Sequence, residues 1–137
     1  MSLSRLFCFV VVTAFATGCS SGRYPVTGTV RYPDGSPVTA GAVIAEATID
    51  GKLVGVQANI EPDGSFELGG TSAGDGALPG SYRAAIVPEA LPDGEAGAGK
   101  VPAVEAKASN FETSGIRFEV KPEPNKVEIT VNKPKSK

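Results

Sequence analysis

Apolar and polar residues alternate in several stretches of the chain after residue 25. In the stretch that starts at Val26, every second side chain is apolar or small, and Thr27 and Thr29 lie between them. A period of two is typical of a β-strand that buries one face and exposes the other. Six stretches have this period, and the residues predicted to face a core are Val26, Gly28, Val30, Tyr32, Val54, Val56, Ala58, Ile60, Phe66, Leu68, Tyr82, Ala84, Ile86, Ile116, Phe118, Val120, Val127, Ile129 and Val131.

A seventh strand is predicted over Gly41 to Ile49. Its register stays open, because residues 42–47 offer apolar side chains to both faces. Turn sequences separate the strands, and most combine a proline or an aspartate with a glycine that accepts a positive φ. They are Pro33-Asp34-Gly35, Asp50-Gly51, Pro62-Asp63-Gly64 and Pro122-Glu123-Pro124-Asn125. Seven short antiparallel strands at this spacing predict an all-β sandwich.

Two longer connections break the pattern. Residues 69–80 are small and rich in glycine, and residues 88–115 contain the run Pro92 to Gly99, which cannot bury much apolar surface. We expect the second connection to be the most mobile part of the domain. One short helical turn is predicted near Val104 to Ser109.

The start of the chain has the layout of an export signal. Arg5 precedes an apolar stretch from Leu6 to Ala16, which is too short for a permanent membrane helix of roughly 20 residues. The segment Ala16-Thr17-Gly18-Cys19 then resembles the lipobox of bacterial lipoproteins. That resemblance implies that residues 1–18 are removed and that Cys19 is lipidated. The alternative is an ordinary secretory signal with a cysteine nearby.

The same resemblance implies a location. Residues 19–24 become a lipidated tether, and two or more acyl chains hold a protein firmly on a membrane. Ser20, rather than aspartate, follows the cysteine, which by resemblance to lipoprotein sorting favours the outer membrane. The expected location is the cell envelope, at the outer membrane or periplasmic face, with the membrane as one partner and an envelope protein of unknown identity as another.

Composition removes most catalytic chemistry. The chain has no histidine and no tryptophan, Cys8 lies in the signal and Cys19 is used by lipid. Metal sites built on imidazole or thiolate are therefore excluded, as are Ser-His-Asp and Cys-His catalysis. We predict a protein that is not an enzyme, with no catalytic residues, no cofactor and no metal site.

The charge of the mature chain is ordinary. Loss of Arg5 leaves twelve of the thirteen Lys and Arg residues against fifteen Asp and Glu residues. Such a balance offers no general attraction for nucleic acid, so no nucleic-acid partner is expected.

Several motifs carry a second resemblance. They are Val26-Thr27-Gly28-Thr29-Val30, Asp34-Gly35-Ser36-Pro37-Val38, Gly41-Ala42-Val43, Asp63-Gly64-Ser65-Phe66 and Leu78-Pro79-Gly80-Ser81-Tyr82-Arg83. Together they look like the carboxypeptidase regulatory-like domain, a transthyretin-like (prealbumin-type) Greek-key sandwich, over residues 25–87 and more loosely beyond. The resemblance implies a seven-stranded antiparallel sandwich over residues 25–132, followed by a basic tail over residues 133–137.

In many exported proteins this domain is an accessory module, so the implied function is structural or protein-binding. Two alternatives stay open. One is a ligand-binding module for polysaccharide or peptidoglycan, against which the lack of tryptophan argues. The other is an accessory subunit of an envelope transport assembly.

Three groups of side chains could bind a ligand or catalyse a reaction, but each also has an ordinary structural explanation. Five aspartates precede glycines and are predicted to form turns rather than calcium sites. Four glutamates could pair as glycosidase acids but are predicted to lie mostly on solvent faces, and two tyrosines are predicted to be core residues rather than ligand-stacking rings. These residues are Asp34, Asp50, Asp63, Asp75 and Asp93; Glu46, Glu67, Glu119 and Glu128; and Tyr32 and Tyr82.

Successive strands are predicted to run in opposite directions, so counting them from Cys19 assigns each connection to one of two ends of the domain. Residues 50–51, 69–80 and 121–125 are expected near the lipid, and residues 33–37, 62–64 and 88–115 at the opposite end. Loops on a rigid scaffold carry most binding residues, so partners are expected at that opposite end. The tail should also point away from the membrane, as a solvated segment.

Overall fold

The structure, a computed structural model, describes residues 22–88 and 104–135. Within them the chain is mostly β, with a single short turn of 3₁₀-helix over Ala106–Ser109, where a helical turn was predicted. The strands are β1 (Val26–Arg31), β2 (Ala42–Ile49), β3 (Lys52–Asn59), β4 (Ser65–Glu67), β5 (Gly80–Val87), β6 (Ile116–Val120) and β7 (Asn125–Thr130).

The strands form two sheets, which makes the protein an all-β sandwich. One sheet has the order β4-β1-β7 and the other β3-β2-β5-β6. Alternate residues of both sheets are buried between them, as the period of two predicted. The largest fully buried side chains are Tyr82, Phe66, Leu68, Ile86, Val26, Val30, Val38, Val43, Val104 and Val120.

The prediction that all strands pair antiparallel is wrong for β1 and β7. These two strands run parallel, from Val26 beside Asn125 to Arg31 beside Thr130. The other pairs, β1 with β4, β2 with β3, β2 with β5 and β5 with β6, are antiparallel. Strand direction alternates along the chain, so the first and seventh strands point the same way. They are parallel because the sheet places them side by side.

The register of β2, which the sequence left open, is now fixed. Val43, Ala45 and Ala47 face the core, and Glu46 lies on the outer face. The neighbouring strands explain this choice, because Val43 lies between Ala58 of β3 and core residues of β5. Only this register buries all three strands on one side.

Gly28 is the one residue of the β1 core face without a side chain, and packing requires that. A Cβ atom there would lie 2.5 Å from the Cζ of Phe66 and 2.2 Å from the carbonyl oxygen of Val127. The Phe66 ring of the neighbouring strand therefore lies over Gly28 and fills the space. The alternation of small and large residues is a packing feature of this sheet.

Strand direction divides the sandwich into two ends. We call the near end the one at which Tyr24 leads into β1; the N–H of Asn125 bonds to the carbonyl of Pro25 there. At the far end, the N–H of Val30 bonds to Gly64, and Lys133 meets Asp34. The near end also holds residues 50–51, 69–80 and 121–125, and the far end residues 33–37, 62–64 and 131–135. Residues 133–135 of the tail thus lie at the end opposite Tyr24, where the tail was predicted.

The two long sides of the sandwich also differ. On the closed side, formed by β3 and β4, the N–H groups of Gln57 and Gly69 each donate to the other residue's carbonyl, at 2.9 and 3.0 Å. On the open side, β6 and β7 are edge strands, and the described residues supply no further strand beside either of them. Residues 92–99 of the connection predicted to be mobile lie outside the described residues.

Candidate functional site

The chain is fixed to the domain at the near end before the first strand begins. The N–H of Tyr24 donates to the carbonyl of Ala77 at 2.8 Å, and the reverse bond measures 3.0 Å. The Arg23 guanidinium donates to the carbonyl of Gly76 and lies 3.9 Å from a carboxylate oxygen of Asp75. Only 17% of the Arg23 side chain is exposed. The attachment therefore lies four residues after Cys19, which itself lies outside the described residues.

The glycine-rich loop over residues 69–77 is built around Asp75. Its carboxylate accepts the N–H groups of Gly70, Thr71 and Ser72 at 2.6, 3.1 and 3.1 Å. These hydrogen bonds, that of Gly70 foremost, hold the pKa of Asp75 below its usual value. The loop is thus an ordered cradle for the incoming chain.

Gly76 lies where this cradle meets the incoming chain. Its φ is +82°, and a Cβ atom there would lie 2.2 Å from the carbonyl oxygen of Tyr24. Both the backbone conformation and the close approach require glycine. The small residues of this loop therefore permit a tight contact with the incoming chain.

The predicted turn aspartates do form turns. Asp34 and Asp63 sit in identical Asp-Gly-Ser turns, in which one carboxylate oxygen accepts the N–H and the hydroxyl of the serine two residues on. Asp50 has a φ of +50° and precedes Gly51 in the hairpin between β2 and β3. Asp93 lies outside the described residues. In the described part of the chain, no three His, Cys, Asp or Glu residues gather where they could hold a metal ion.

The basic tail is held at the far end by side chains. The Lys133 ammonium lies 2.8 Å from Asp34 and 5.0 Å from the centre of the Tyr32 ring. Asn132 donates to Glu105 at 2.7 Å. Lys133 is the main reason that the pKa of Asp34 is lowered. Tyr32 is half-buried against the core, and the first tail residue is a surface contact rather than a free solvated segment.

An ion-pair network lies on the outer face of the four-stranded sheet. Arg83 contacts Glu46 at 2.6 Å and also pairs with Glu112, and its guanidinium lies 5.6 Å from the centre of the Phe111 ring. Glu112 and Phe111 come from the connection before β6. The outward position of Arg83 was predicted. Its contacts with Phe111 and Glu112 were not, because nothing in the sequence around those two residues indicates a contact with Arg83.

This network borders a groove of about 420 Å³. Glu46 and Glu119 both line it, together with Thr48, Leu53, Ser81 and Arg117. Leu53, at 70%, is the one large hydrophobic residue that is exposed among the described residues. The groove combines charge of both signs with the exposed apolar side chain of Leu53.

A second groove, of about 610 Å³, lies along the closed side, between the three-stranded sheet and β3 of the other sheet. Hydroxyl and amide side chains dominate it, among them Thr27, Thr29, Ser65 and Gln57, and Glu67 lies there as well. Glu128 is exposed on β7. The four glutamates considered as glycosidase acids are therefore divided between the outer faces of two sheets.

No family model matches this chain, and no curated protein is similar to it in sequence. Across the described residues, no helix is both long and apolar enough to cross a bilayer.

The prediction that Tyr82 is a core residue is confirmed. It is 1% exposed, its hydroxyl donates to the carbonyl of Leu78 at 2.9 Å, and its ring stacks on Phe118 with centres 5.5 Å apart. Burial raises the pKa of Tyr82. This ring connects the near-end loop to the open side of the core.

Proposed function

We propose that this protein is a non-catalytic, lipid-anchored module of the cell envelope that acts by binding another envelope protein. Its domain over residues 25–132 is a transthyretin-like Greek-key sandwich in this proposal. The two-sheet architecture and the repeated Asp-Gly-Ser turns support that assignment. The absence of histidine supports a role without catalysis, because the common acid-base and nucleophilic sites depend on it.

The observation that carries the proposal is the attachment of Arg23 and Tyr24 to the near end. Four peptide steps separate Cys19 from Arg23, a distance of at most roughly 14 Å when fully extended. A lipid on Cys19 would therefore hold the near end close to the bilayer. A cradle that fixes the chain so soon after a candidate lipidation site suits an anchored domain.

The far end would then face away from the membrane. It carries the two Asp-Gly-Ser turns and the tail, which lie outside the strands except for Ser65, the first residue of β4. Loops on a rigid scaffold are the usual place for recognition residues. The protein partner is proposed to bind there.

Substitution of Cys19 tests the anchor. Cys19→Ser should move the protein from the membrane fraction to the soluble fraction and abolish incorporation of a radiolabelled fatty acid. The circular dichroism of the β-sandwich should stay unchanged, because Cys19 lies outside the domain. Cys8→Ser is the matched control and should leave membrane attachment intact.

Two results would refute the anchor. One is a wild-type protein that incorporates no fatty acid. The other is Cys19→Ser protein that stays on the membrane.

A further inference from the structure

The open side of the sandwich exposes two strand edges together with part of the core. Ile116 and Phe118 face the core from β6 but are only half-buried. Within the described residues, β6 has only β5 as a neighbouring strand and β7 has only β1, so no strand pairs with the outer edge of either. A free edge is a template for pairing with another strand.

The charges on β6 are arranged so that two copies of this strand could pair with each other. Arg117 and Glu119 flank Phe118 and are both exposed on the outer face. If a second β6 lies antiparallel with Phe118 at the centre, Arg117 of each copy lies opposite Glu119 of the other. The same register places Ile116 opposite Val120 on the core side. Opposite charges and apolar side chains facing each other across two strands are favourable pairs.

Among the described residues, Arg117 also has no ion-pair partner. Its neighbour across the sheet on β5 is Arg83, a like charge. Arg83 is neutralised by Glu46 and Glu112, whereas no ion pair joins Arg117 to any described residue. A second copy would supply the missing carboxylate.

The neighbouring edge strand has the same order of charges. Lys126 and Glu128 flank Val127 on β7 and are exposed. Phe118 pairs with the third residue of β5 and Val127 with the third residue of β1, and both of those strands begin at the near end. Phe118 and Val127 therefore lie at about the same distance from the near end. One twofold axis perpendicular to both sheets would pair both edges at once.

We propose that a second copy of this chain docks on the open side, through antiparallel pairing of β6 with β6 and of β7 with β7. The dimer would contain one continuous sheet of eight strands and one of six. It would cover the half-buried Ile116 and Phe118. The proposal does not depend on lipidation of Cys19.

Charge reversal on β6 tests the proposal. Sedimentation velocity of the full-length protein in detergent should give a dimer. Arg117→Glu alone and Glu119→Arg alone should each give a monomer, because like charges then face each other. An equal mixture of the two variants should restore a dimer, as should the double variant R117E/E119R.

The matched control is Lys52→Glu, which reverses an exposed charge on β3 at the opposite edge of the same sheet. This variant should stay dimeric, and circular dichroism should show every variant folded. A monomeric wild type, or a mixture of the two single variants that fails to associate, would overturn the proposal. So would single variants that remain dimeric. A monomer whose β6 amides resist hydrogen exchange at every concentration would show that another segment of the same chain covers the edge, which also excludes the dimer.

Discussion

The two ends of the sandwich are held in different ways. At the near end, backbone groups of the incoming chain bond directly to the loop over residues 69–77, and Arg23 is largely buried beneath it. At the far end, the turns also bond to β1 through their backbone, as Gly64 does to Val30, but the tail is joined to them by exposed side chains, chiefly Lys133 with Asp34. Buried backbone contacts tolerate little change, whereas exposed ion pairs contribute little and adjust easily. One end therefore suits a fixed attachment and the other an adaptable surface.

The largest difference between the ends should appear when an alanine replaces a glycine. Gly76→Ala forces a side chain into a φ of +82° and against the Tyr24 carbonyl. The two costs together should lower the free energy of unfolding by about 2–4 kcal/mol. Urea denaturation followed by circular dichroism measures this change.

Gly35→Ala at the far end is the matched control. Gly35 has a similar φ of +86°, but nothing lies within 4 Å of the Cβ position. Only the backbone conformation is penalised, so the loss should be about 1 kcal/mol. Equal losses at the two positions would contradict the view that the near end is tightly packed.

The strands and turns at both ends can be predicted from the sequence, but the tight packing that distinguishes the near end cannot. The alternation of apolar residues and the Asp-Gly turns appear directly as strands and turns, because both depend on neighbours in the chain. The abundance of glycine in residues 69–80 indicates only small side chains. Whether they leave the chain loose or let Gly76 pack against Tyr24 depends on a contact between residues 52 positions apart, which no local pattern contains.

The same reasoning explains what else was missed. The parallel pairing joins β1 to β7, the first and last strands of the domain. The direction of each strand can be counted from the sequence, but which strands are neighbours cannot. Glu112 and Phe111 meet Arg83 because the segment before β6 folds back over β5, where Ser109 and Ser114 bond to β5 carbonyls. These contacts arise only from tertiary packing.

A smaller effect is expected from the pH dependence of the near-end loop. The pKa of Asp75 is lowered in the folded state by the three N–H groups that its carboxylate accepts. The stabilisation is therefore present above the unfolded pKa of about 3.9 and is lost as the pH falls through the lower folded value. Asp75→Ala should lower the unfolding midpoint at neutral pH and reduce the further loss on acidification.

Hydrogen exchange of the Gly70, Thr71 and Ser72 amides measures the same change locally, since Asp75→Ala removes their acceptor. Asp50→Asn is the control, because Asp50 lies in a turn at the same end and makes no hydrogen bond through its carboxylate in the described structure. It should leave those three amides protected. An Asp75→Ala variant with unchanged exchange would show that the loop is held by packing alone.

The smallest effect is expected at the far end. Lys133→Ala removes an ion pair between two exposed side chains and a contact with the Tyr32 ring. Such pairs are screened by salt. The unfolding midpoint should therefore change less than in Gly35→Ala, while the NMR resonances of the Tyr32 ring shift as the tail is released. Added salt should produce the same shift in the wild type and none in Lys133→Ala.

The start of the tail would still be held by the hydrogen bond from the N–H of Val131 to the carbonyl of Arg31, which neither the substitution nor salt removes. A loss of stability as large as that of Gly76→Ala would mean that the far end is as firmly built as the near end.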